Sequence, residues 1–324
     1  MGHRFVEGKI EGEKEFGGKV FPKTLKPPPE MSTDGVDELA EMVKEEREWL
    51  HKTLEAHSAI LFKGFGLKSG DEFGRVVEAF GWENMTYSAP APRPILRHLV
   101  GGRVYTSNAT PVTQLITFHH EMAWVKEVPS KIFLYCLQPS PEGGETSILP
   151  SQVVVDQMEE RVPEFVSKIS TIGFVHRVSL ATEYDSEDAD GINEPWKWIL
   201  DTRDLAEAEK RAKEKFLCRE VKFREEGLLE LLFGPVCPIR SYGGKRVWFN
   251  TILCYAPKDS DSISFTDGTK LPESAVETYK KILEENCVNI KWEKGDFLLL
   301  DNLLAQHARL PGKPPRQILV SICK

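Results

Sequence analysis

Short apolar runs separated by turn residues follow one another from residue 103 towards the C-terminus, and this pattern predicts many short β-strands. The runs are rich in β-branched and aromatic residues, which favour strands. AILFKGF, at 59–65, predicts another strand nearer the N-terminus. The runs after residue 103 are QLITFHHEMAW, KIFLYCLQP, ETSILP, KRVWFNTILCY, GDFLLLDN and RQILVSIC.

A helical spacing of apolar residues appears in fewer places. It predicts a helix over 37–56, and Ser69 is expected to cap a second helix that reaches Phe80. Three more helices are predicted at 151–168, 204–216 and 272–285. The apolar face of the first helix consists of Leu39, Met42, Val43, Leu50 and Leu54.

Many strands interrupted by a few helices predict a mainly β fold with flanking helices (α+β), built as a double-sheet barrel of the jelly-roll kind. No internal repeat or low-complexity linker divides the chain, so residues 1–324 are interpreted as a single domain. Residues 1–33, rich in Gly, Pro and charge, are predicted to form an extended N-terminal arm. Residues 181–202 combine acidic and aromatic side chains and are predicted to be an inserted lid.

The charge and cysteine content narrow the classes of function. The formal net charge is −8, from 42 basic and 50 acidic residues, whereas nucleic acids and anionic membranes require clustered positive charge. We therefore expect neither as a partner. The six cysteines form no CxxC pair, which argues against zinc fingers and fits a reducing compartment. Without an apolar leader or a long apolar segment, the expectation is a cytoplasmic protein of undetermined oligomeric state.

The segment FHHEMAW, at 118–124, is the first candidate for a metal site. Side chains alternate between the two faces of a strand, so His119 and Glu121 are expected to point one way and His120 the other. His119 and Glu121 could then bind one ion together. An HxE pair occurs by chance in many proteins, however, and a structural histidine beside a charged residue is the alternative.

A third candidate ligand, His307, lies near the C-terminus in GDFLLLDNLLAQHARL, just after an apolar strand and its polar exit, Asp301 and Asn302. Two histidines and one carboxylate form the facial triad that is typical of non-haem Fe(II) oxygenases. Such a triad leaves positions on the metal open, so a bidentate co-substrate and O2 can share them.

Arg316, which begins the last apolar run, is a candidate anchor for a co-substrate. A guanidinium grips a carboxylate through two parallel hydrogen bonds, which a lysine cannot form. Thr146 in EGGETSILP offers a hydroxyl partner, and Gly143 and Gly144 permit a tight turn beside it. A surface arginine after a proline pair is the alternative interpretation.

The order HxE, GGET, then GDFLLLDN followed by a histidine and an arginine resembles the Fe(II)/2-oxoglutarate-dependent oxygenases of the TauD/TfdA superfamily. Within that superfamily, FHHEMAW and YCLQPSPEGGETSILPS look most similar to the clavaminate synthase-like proteins, including plant members. The resemblance covers roughly residues 55–324 and implies their fold, the double-stranded β-helix or jelly roll. Most of the superfamily has Asp at the carboxylate position, whereas this chain has Glu121. Clavaminate synthase also has Glu at that position.

The resemblance implies that His119, Glu121 and His307 are the catalytic ligands of Fe(II). It also implies that Thr146 and Arg316 bind the distal carboxylate of 2-oxoglutarate. The expected enzyme uses O2 to decarboxylate 2-oxoglutarate to succinate and CO2, and couples this to hydroxylation, desaturation or cyclisation of a small polar metabolite. Two alternatives remain: a non-catalytic metal-binding barrel that acts as a sensor or scaffold, and a zinc hydrolase on the same ligands.

The sequence says less about the residues that contact the substrate. We expect a small molecule that carries a carboxylate or derives from an amino acid, because relatives act on such compounds. Asn108 and Gln114 precede the first proposed ligand and carry amides that could bind a polar substrate. Asn250 stands in a predicted strand, and Arg309 follows His307 by two positions. The alternatives are turn chemistry for Asn108 and a solvated charge for Arg309.

Overall fold

The structure is a computed structural model that describes residues 3–31, 35–87, 97–107, 110–180, 196, 200–224, 228–249, 252–253 and 262–324. Within these ranges strands outnumber helices, which confirms the predicted mainly β fold with flanking helices. The helices of the described residues are α1 (Val36–Glu45), α2 (Arg47–His57), α3 (Gly70–Ala79), α4 (Ser151–Arg161), α5 (Pro163–Ile172), α6 (Leu205–Lys215) and α7 (Glu273–Asn286).

The strands are short, and many of them lie in two sheets that face each other. They are β1 (Val6–Gly8), β2 (Lys14–Phe16), β3 (Lys19–Phe21), β4 (Lys23–Lys26), β5 (Ala59–Phe62), β6 (Asn84–Met85), β7 (Leu99–Gly101), β8 (Val104–Thr106), β9 (Ile116–His119), β10 (Lys131–Gln138), β11 (Thr146–Pro150), β12 (Phe174–Leu180), β13 (Cys218–Phe223), β14 (Leu229–Val236), β15 (Ile239–Tyr242), β16 (Lys245–Trp248), β17 (Ile263–Phe265), β18 (Val288–Ile290), β19 (Phe297–Asp301), β20 (Ala305–Arg309) and β21 (Gln317–Cys323).

The larger of the two facing sheets has the strand order β1-β4-β5-β19-β10-β21-β8-β7, with β6 paired to β21. The smaller sheet has the order β18-β11-β20-β9. A third sheet, β13-β14-β12-β17, and the hairpins β15-β16 and β2-β3 complete the described strands. The smaller facing sheet brings β9 and β20 side by side, and these strands carry the two candidate histidine ligands.

The alternation of side chains along β19 shows how the layers are packed. Leu298 and Leu300 point into the space between the two facing sheets, where they join Ile148 of β11 in one apolar cluster. Phe297 and Leu299 point to the opposite face and pack in the cluster that contains helices α1 to α3. Both faces of this strand are buried, which explains why its sequence is an almost continuous apolar run. On the far side of the smaller sheet, α4, α5 and α7 cover Leu149.

The predicted helices agree with the structure, with two divisions. The helix expected over 37–56 is interrupted at Glu46, and the one expected over 151–168 is interrupted at Val162. Pro163 explains the second division, because proline lacks an N–H and disfavours a helical residue before it. Ser69 caps α3 as predicted, since its hydroxyl accepts a hydrogen bond from the Glu72 N–H at 3.2 Å.

Several strands lie outside the sequence-based predictions. Residues 3–31, predicted as an extended arm, contain four short strands, of which β1 and β4 join the larger sheet. The strand expected in QLITFHHEMAW ends at His119, and β20 was not predicted at all. Of the proposed lid, 181–202, only Trp196 and 200–202 are described, so that prediction lies largely outside the described residues. No helix among the described residues is long and apolar enough to cross a bilayer.

Candidate active site

Two neighbouring strands bring the candidate histidines together. β9 and β20 pair antiparallel, and His307 lies directly opposite His119 in the register. Opposite residues of such a pair project from the same face of the sheet. The two imidazole rings are accordingly 4.2 Å apart between centroids.

Glu121 supplies a carboxylate to the same point. Its Oε2 lies 3.9 Å from Nε2 of His119 and 3.7 Å from Nε2 of His307. One donor atom from each of the three residues lies within 4.8 Å of the other two. Two imidazole nitrogens and one carboxylate oxygen therefore converge, which is the donor set that suits non-haem Fe(II).

His119 is oriented so that its Nε2 is available to bind a metal. Its Nδ1 is 2.8 Å from the Thr117 carbonyl oxygen. A carbonyl can only accept, so Nδ1 carries the proton and donates, and Nε2 keeps its lone pair. Metal-binding histidines commonly have this arrangement, in which an outer hydrogen bond fixes the tautomer and the ring orientation.

The His120 side chain points away from the place where His119 and His307 meet, as strand alternation predicts. Its Nε2 lies 2.9 Å from the Ser151 hydroxyl oxygen at the start of α4. Its ring packs against Phe249 at a centroid distance of 4.2 Å. His120 is thus a buried packing residue that links the smaller sheet to the helices behind it.

The backbone of Glu121 is fixed by Asn302, a fully buried residue just after β19. The Asn302 amide oxygen accepts from the Glu121 N–H at 2.8 Å, and its Nδ2 donates to the Glu121 carbonyl at 3.1 Å. The same Nδ2 donates to the Pro129 carbonyl at 2.7 Å. Met122 follows in the left-handed region, with φ 55°, so the chain turns sharply after Glu121. Asn302 therefore shapes the turn at Glu121.

Arg97 is a site residue that the sequence did not reveal. Its Nη2 donates to Oε1 of Glu121 at 2.9 Å, and its guanidinium lies 4.2 Å from the centre of the Tyr87 ring. Both side chains of the ion pair are buried, 8% and 7% exposed. A lone arginine in a loop-rich stretch has no spacing signal, so residue patterns could not have identified it.

The charge state of Glu121 follows from these neighbours. Burial alone would raise the pKa of its carboxyl, but the positive charge of Arg97, followed by the contacts with His307 and His119, lowers the pKa more. The net pKa lies well below the usual range of a glutamate, and the group is a carboxylate. Burial also raises the pKa of the Tyr87 hydroxyl well above its usual value, so Tyr87 remains neutral.

Arg316 and Thr146 lie together beside the three converging residues. The Arg316 Nε donates to the Gly144 carbonyl at 2.7 Å, and its Nη2 lies 3.4 Å from the Thr146 hydroxyl oxygen. Thr146 also accepts from the Trp292 indole N–H at 3.0 Å. Burial, followed by the charge of Arg309, lowers the pKa of Arg316 to about 10. No carboxylate among the described residues lies within ion-pair distance of Arg316. An anionic ligand would therefore offset the free-energy cost of burying its charge.

The glycines of GGET pack against the loop that precedes Arg316. Gly144 N–H donates to the Pro311 carbonyl at 2.9 Å, and Gly143 pairs with Gly312 in an isolated bridge. A Cβ on Gly312 would lie 2.6 Å from the Gly144 nitrogen. The two backbones thus approach too closely for a side chain, and this contact aligns Thr146 with Arg316.

One cavity of about 80 Å³ adjoins the three converging residues, Arg97 and the Arg316–Thr146 pair. A single water needs roughly 10–15 Å³ on this measure, so the cavity has room for a small ligand beside an ion. The lining residues are Arg97, Ser107, Ile116, His119, Glu121, Leu134, Thr146, His307, Ala308, Arg309, Arg316, Ile318 and Val320.

The structure describes two of the four residues that the sequence suggests as substrate contacts. Asn108 and Asn250 lie outside the described residues. Gln114 is exposed and does not line the cavity, and its carbonyl accepts from Arg309 at 3.0 Å. Arg309 does line the cavity, but its guanidinium also donates to the carbonyls of Thr110 and Pro111, at 3.0 and 2.6 Å. In the structure, Arg309 therefore holds residues 110–114 against β20.

Known proteins resemble this chain over most of its length. The model of the taurine catabolism dioxygenase TauD, TfdA family matches residues 23–323. The chain is 36% identical over 335 residues to a clavaminate synthase-like protein of Arabidopsis thaliana, with 98% of each chain covered. It is 24% identical over 292 residues to the dapdiamide synthesis protein DdaC of Enterobacter agglomerans, with 84% of each covered.

A solved structure shares the fold. PvcB, described as an Fe, alpha-ketoglutarate dependent oxygenase from an isonitrile synthetic pathway, superposes with a TM-score of 0.54. The match covers 94% of this chain and 86% of PvcB at 13% sequence identity. The two facing sheets are therefore those of the predicted double-stranded β-helix.

Proposed function

The chain belongs to the TauD, TfdA family and is a non-haem Fe(II)- and 2-oxoglutarate-dependent dioxygenase, and on this premise we propose that it oxidises a small polar metabolite. One observation carries the proposal. The His119–Glu121–His307 cluster and the Arg316–Thr146 pair line the same small cavity. A metal site alone would fit several functions, but a metal site beside a partly buried guanidinium that has no acidic partner among the described residues fits a dicarboxylate co-substrate.

We assign His119, Glu121 and His307 as the residues that hold the ferrous ion. The donor chemistry fits, because two neutral imidazoles and one carboxylate bind Fe(II) without filling its coordination sphere. The hydrogen bond from His119 Nδ1 to Thr117 supports the assignment, since it leaves Nε2 available. Asn302 supports it by holding the backbone at Glu121.

We assign Arg316 and Thr146 as the residues that bind the distal carboxylate of 2-oxoglutarate. The Nε of Arg316 is engaged by the Gly144 carbonyl, which fixes the plane of the guanidinium. Its remaining N–H groups and the Thr146 hydroxyl are adjacent, so they can donate to one carboxylate together. Removal of water by the apolar lining would strengthen this charge-assisted contact.

With ferrous iron bound, 2-oxoglutarate and O2 supply the oxidising chemistry, in which 2-oxoglutarate loses CO2 to give succinate and the substrate is oxidised. The residues of the chain position the reactants and keep water out. Leu134, Ile318 and Val320 form an apolar wall of the cavity. Such a wall protects a reactive site from bulk water and holds the substrate in one orientation.

We propose that the substrate is a small molecule that carries a carboxylate or derives from an amino acid. The described cavity lining has three arginines, Arg97, Arg309 and Arg316, and one carboxylate, Glu121, which favours anionic ligands. The names of two similar proteins, a dapdiamide synthesis protein and an oxygenase of an isonitrile pathway, also point to small-molecule biosynthesis. Hydroxylation is the expected outcome, with desaturation or cyclisation as variants of it.

The proposal is tested by succinate formation. Purified protein with Fe(II), ascorbate and 2-oxoglutarate should release succinate slowly without a substrate, and His119→Ala should abolish the release. A library of carboxylates and amino-acid derivatives should then contain a compound that stimulates it. Wild-type protein that neither binds nor consumes 2-oxoglutarate would contradict the proposal. Zinc as the metal retained after anaerobic purification would instead favour the hydrolase.

A further inference from the structure

Arg97 contacts a proposed iron ligand although it belongs to none of the sequence motifs. We propose that Arg97 is a positioning residue, which fixes the Glu121 carboxylate so that a single oxygen faces the metal position. The inference rests on the proposed function, because it assigns Arg97 a part in the same site.

The two oxygens of Glu121 have different neighbours. Oε1 accepts the hydrogen bond from Arg97 at 2.9 Å, while Oε2 faces the Nε2 atoms of both histidines. A carboxylate that is held at one oxygen cannot easily rotate to present both oxygens to an ion. Arg97 thereby favours a one-oxygen ligand and leaves more of the metal open to the co-substrate.

The length of the glutamate explains why such a restraint is needed. Glutamate has one more rotatable bond than aspartate, so its carboxylate explores more orientations when it is free. Asn302 fixes the backbone of Glu121 but does not contact its carboxylate. The Arg97 hydrogen bond acts at the far end of the side chain, where the extra freedom lies.

Arg97 is itself held in place before any metal binds. Its guanidinium carbon lies 4.2 Å from the centre of the Tyr87 ring, and a cation–π contact of this kind restrains the arginine side chain. Tyr87 in turn packs edge-on against Tyr105 of β8, with ring centroids 5.2 Å apart. The larger sheet therefore supports Glu121 through two aromatic rings and one arginine.

A purely electrostatic role would have the opposite sign. A guanidinium next to a metal ligand repels a divalent cation and competes for the charge of the carboxylate. If charge dominated, removal of Arg97 would tighten metal binding. If positioning dominates, as proposed, removal weakens it. The sign of the change in metal affinity therefore separates the two.

The test uses Co(II) as the probe, added anaerobically to the metal-free full-length protein and followed by its visible absorption bands. Arg97→Ala should weaken Co(II) binding by about 10- to 100-fold, the range seen when outer hydrogen-bond partners of metal ligands are removed. The bands should also change shape, because the carboxylate is free to rotate. Arg97→Lys keeps the charge without the planar fork, and should recover the affinity only in part.

Arg103→Ala is the matched control. Arg103 donates to the Trp82 carbonyl and contacts the Cys323 thiol, away from the cavity lining. It should leave Co(II) affinity at the wild-type value. The unfolding midpoint of each metal-free variant is measured as well, so that a loss of folding is not mistaken for a loss of positioning.

A double-mutant cycle with Glu121→Asp completes the test. The shorter carboxylate cannot satisfy Arg97 and the metal together, so the substitution should cost more affinity with Arg97 present than in Arg97→Ala. Equal costs in both backgrounds, or an Arg97→Ala protein that is folded and binds Co(II) as tightly as wild type or more tightly, would overturn the inference. Wild-type protein that binds no Co(II) would count against the metal site as a whole.

Discussion

At the residue scale, the Asn302 side chain makes three hydrogen bonds, which end on the N–H and carbonyl of Glu121 and on the carbonyl of Pro129. Substitution by alanine leaves those buried groups unpaired, and each such group costs about 1–3 kcal/mol. We expect Asn302→Ala to lower the free energy of unfolding by about 3 kcal/mol in total and to weaken Co(II) binding, as measured by denaturant unfolding and metal titration.

Asn286→Ala is a suitable comparison for that variant. Asn286 bonds the Ile282 carbonyl within α7 and the Gln157 side chain, and neither Asn286 nor Gln157 lines the cavity. It should reduce stability without changing the affinity for Co(II). A stable Asn302→Ala protein with unchanged metal affinity would show that the turn after Glu121 forms without this clamp.

Arg316→Ala tests the co-substrate anchor alone. Loss of a charge-assisted contact of about 1.5–3 kcal/mol corresponds to roughly a 10- to 100-fold weaker affinity for 2-oxoglutarate. Anaerobic binding of 2-oxoglutarate to the metal-loaded protein measures this directly. Co(II) affinity in the absence of 2-oxoglutarate should stay near wild type, and an unchanged 2-oxoglutarate affinity would remove Arg316 from the site.

At this scale, residue spacing predicted part of the site. Strand alternation separates His119 from His120, because it depends only on local geometry. Arg97 could not be found in the same way, since its contact with Glu121 joins residues 24 positions apart in the sequence and depends on the tertiary fold. The three carbonyls that accept from Arg309 could not be predicted from the sequence either, because every residue type has a backbone carbonyl.

At the scale of elements, the apolar strands β10, β19 and β21 were predictable because both of their faces are buried. β20 was missed because its sequence, AQHAR, is polar although every residue is buried. Gln306 shows the reason: its side chain accepts from the Tyr279 hydroxyl at 3.0 Å and donates to the Trp248 carbonyl at 3.3 Å. Tertiary partners therefore make a polar strand acceptable in the interior.

The N-terminus of α3 permits a prediction about an element. Ser69 caps the helix through the Glu72 N–H, so Ser69→Ala should lower stability by about 1 kcal/mol. Ser69→Asp keeps an acceptor at the cap and should retain most of the stability. Denaturant unfolding of the two variants measures the difference, and equal losses would show that the hydroxyl does not act as a cap.

At the scale of the whole molecule, the double-stranded β-helix joins residues distant in sequence around one cavity. Ligands that bind only the folded chain stabilise it, by about 2.7 kcal/mol at a concentration one hundred times Kd. Mn(II) with 2-oxoglutarate should therefore raise the melting temperature by several degrees. A chelator should reverse the shift, and His307→Ala should show none. A shift retained in His307→Ala would place the ligands elsewhere.

The close approach of the GGET turn and the loop before Arg316 has a consequence for protein engineering. Any side chain at Gly312 would collide with the facing backbone and separate Thr146 from Arg316. Libraries that aim to alter substrate choice should leave Gly143, Gly144 and Gly312 unchanged and vary the apolar wall instead. The co-substrate end of the cavity would then remain constant while the substrate end is free to diversify.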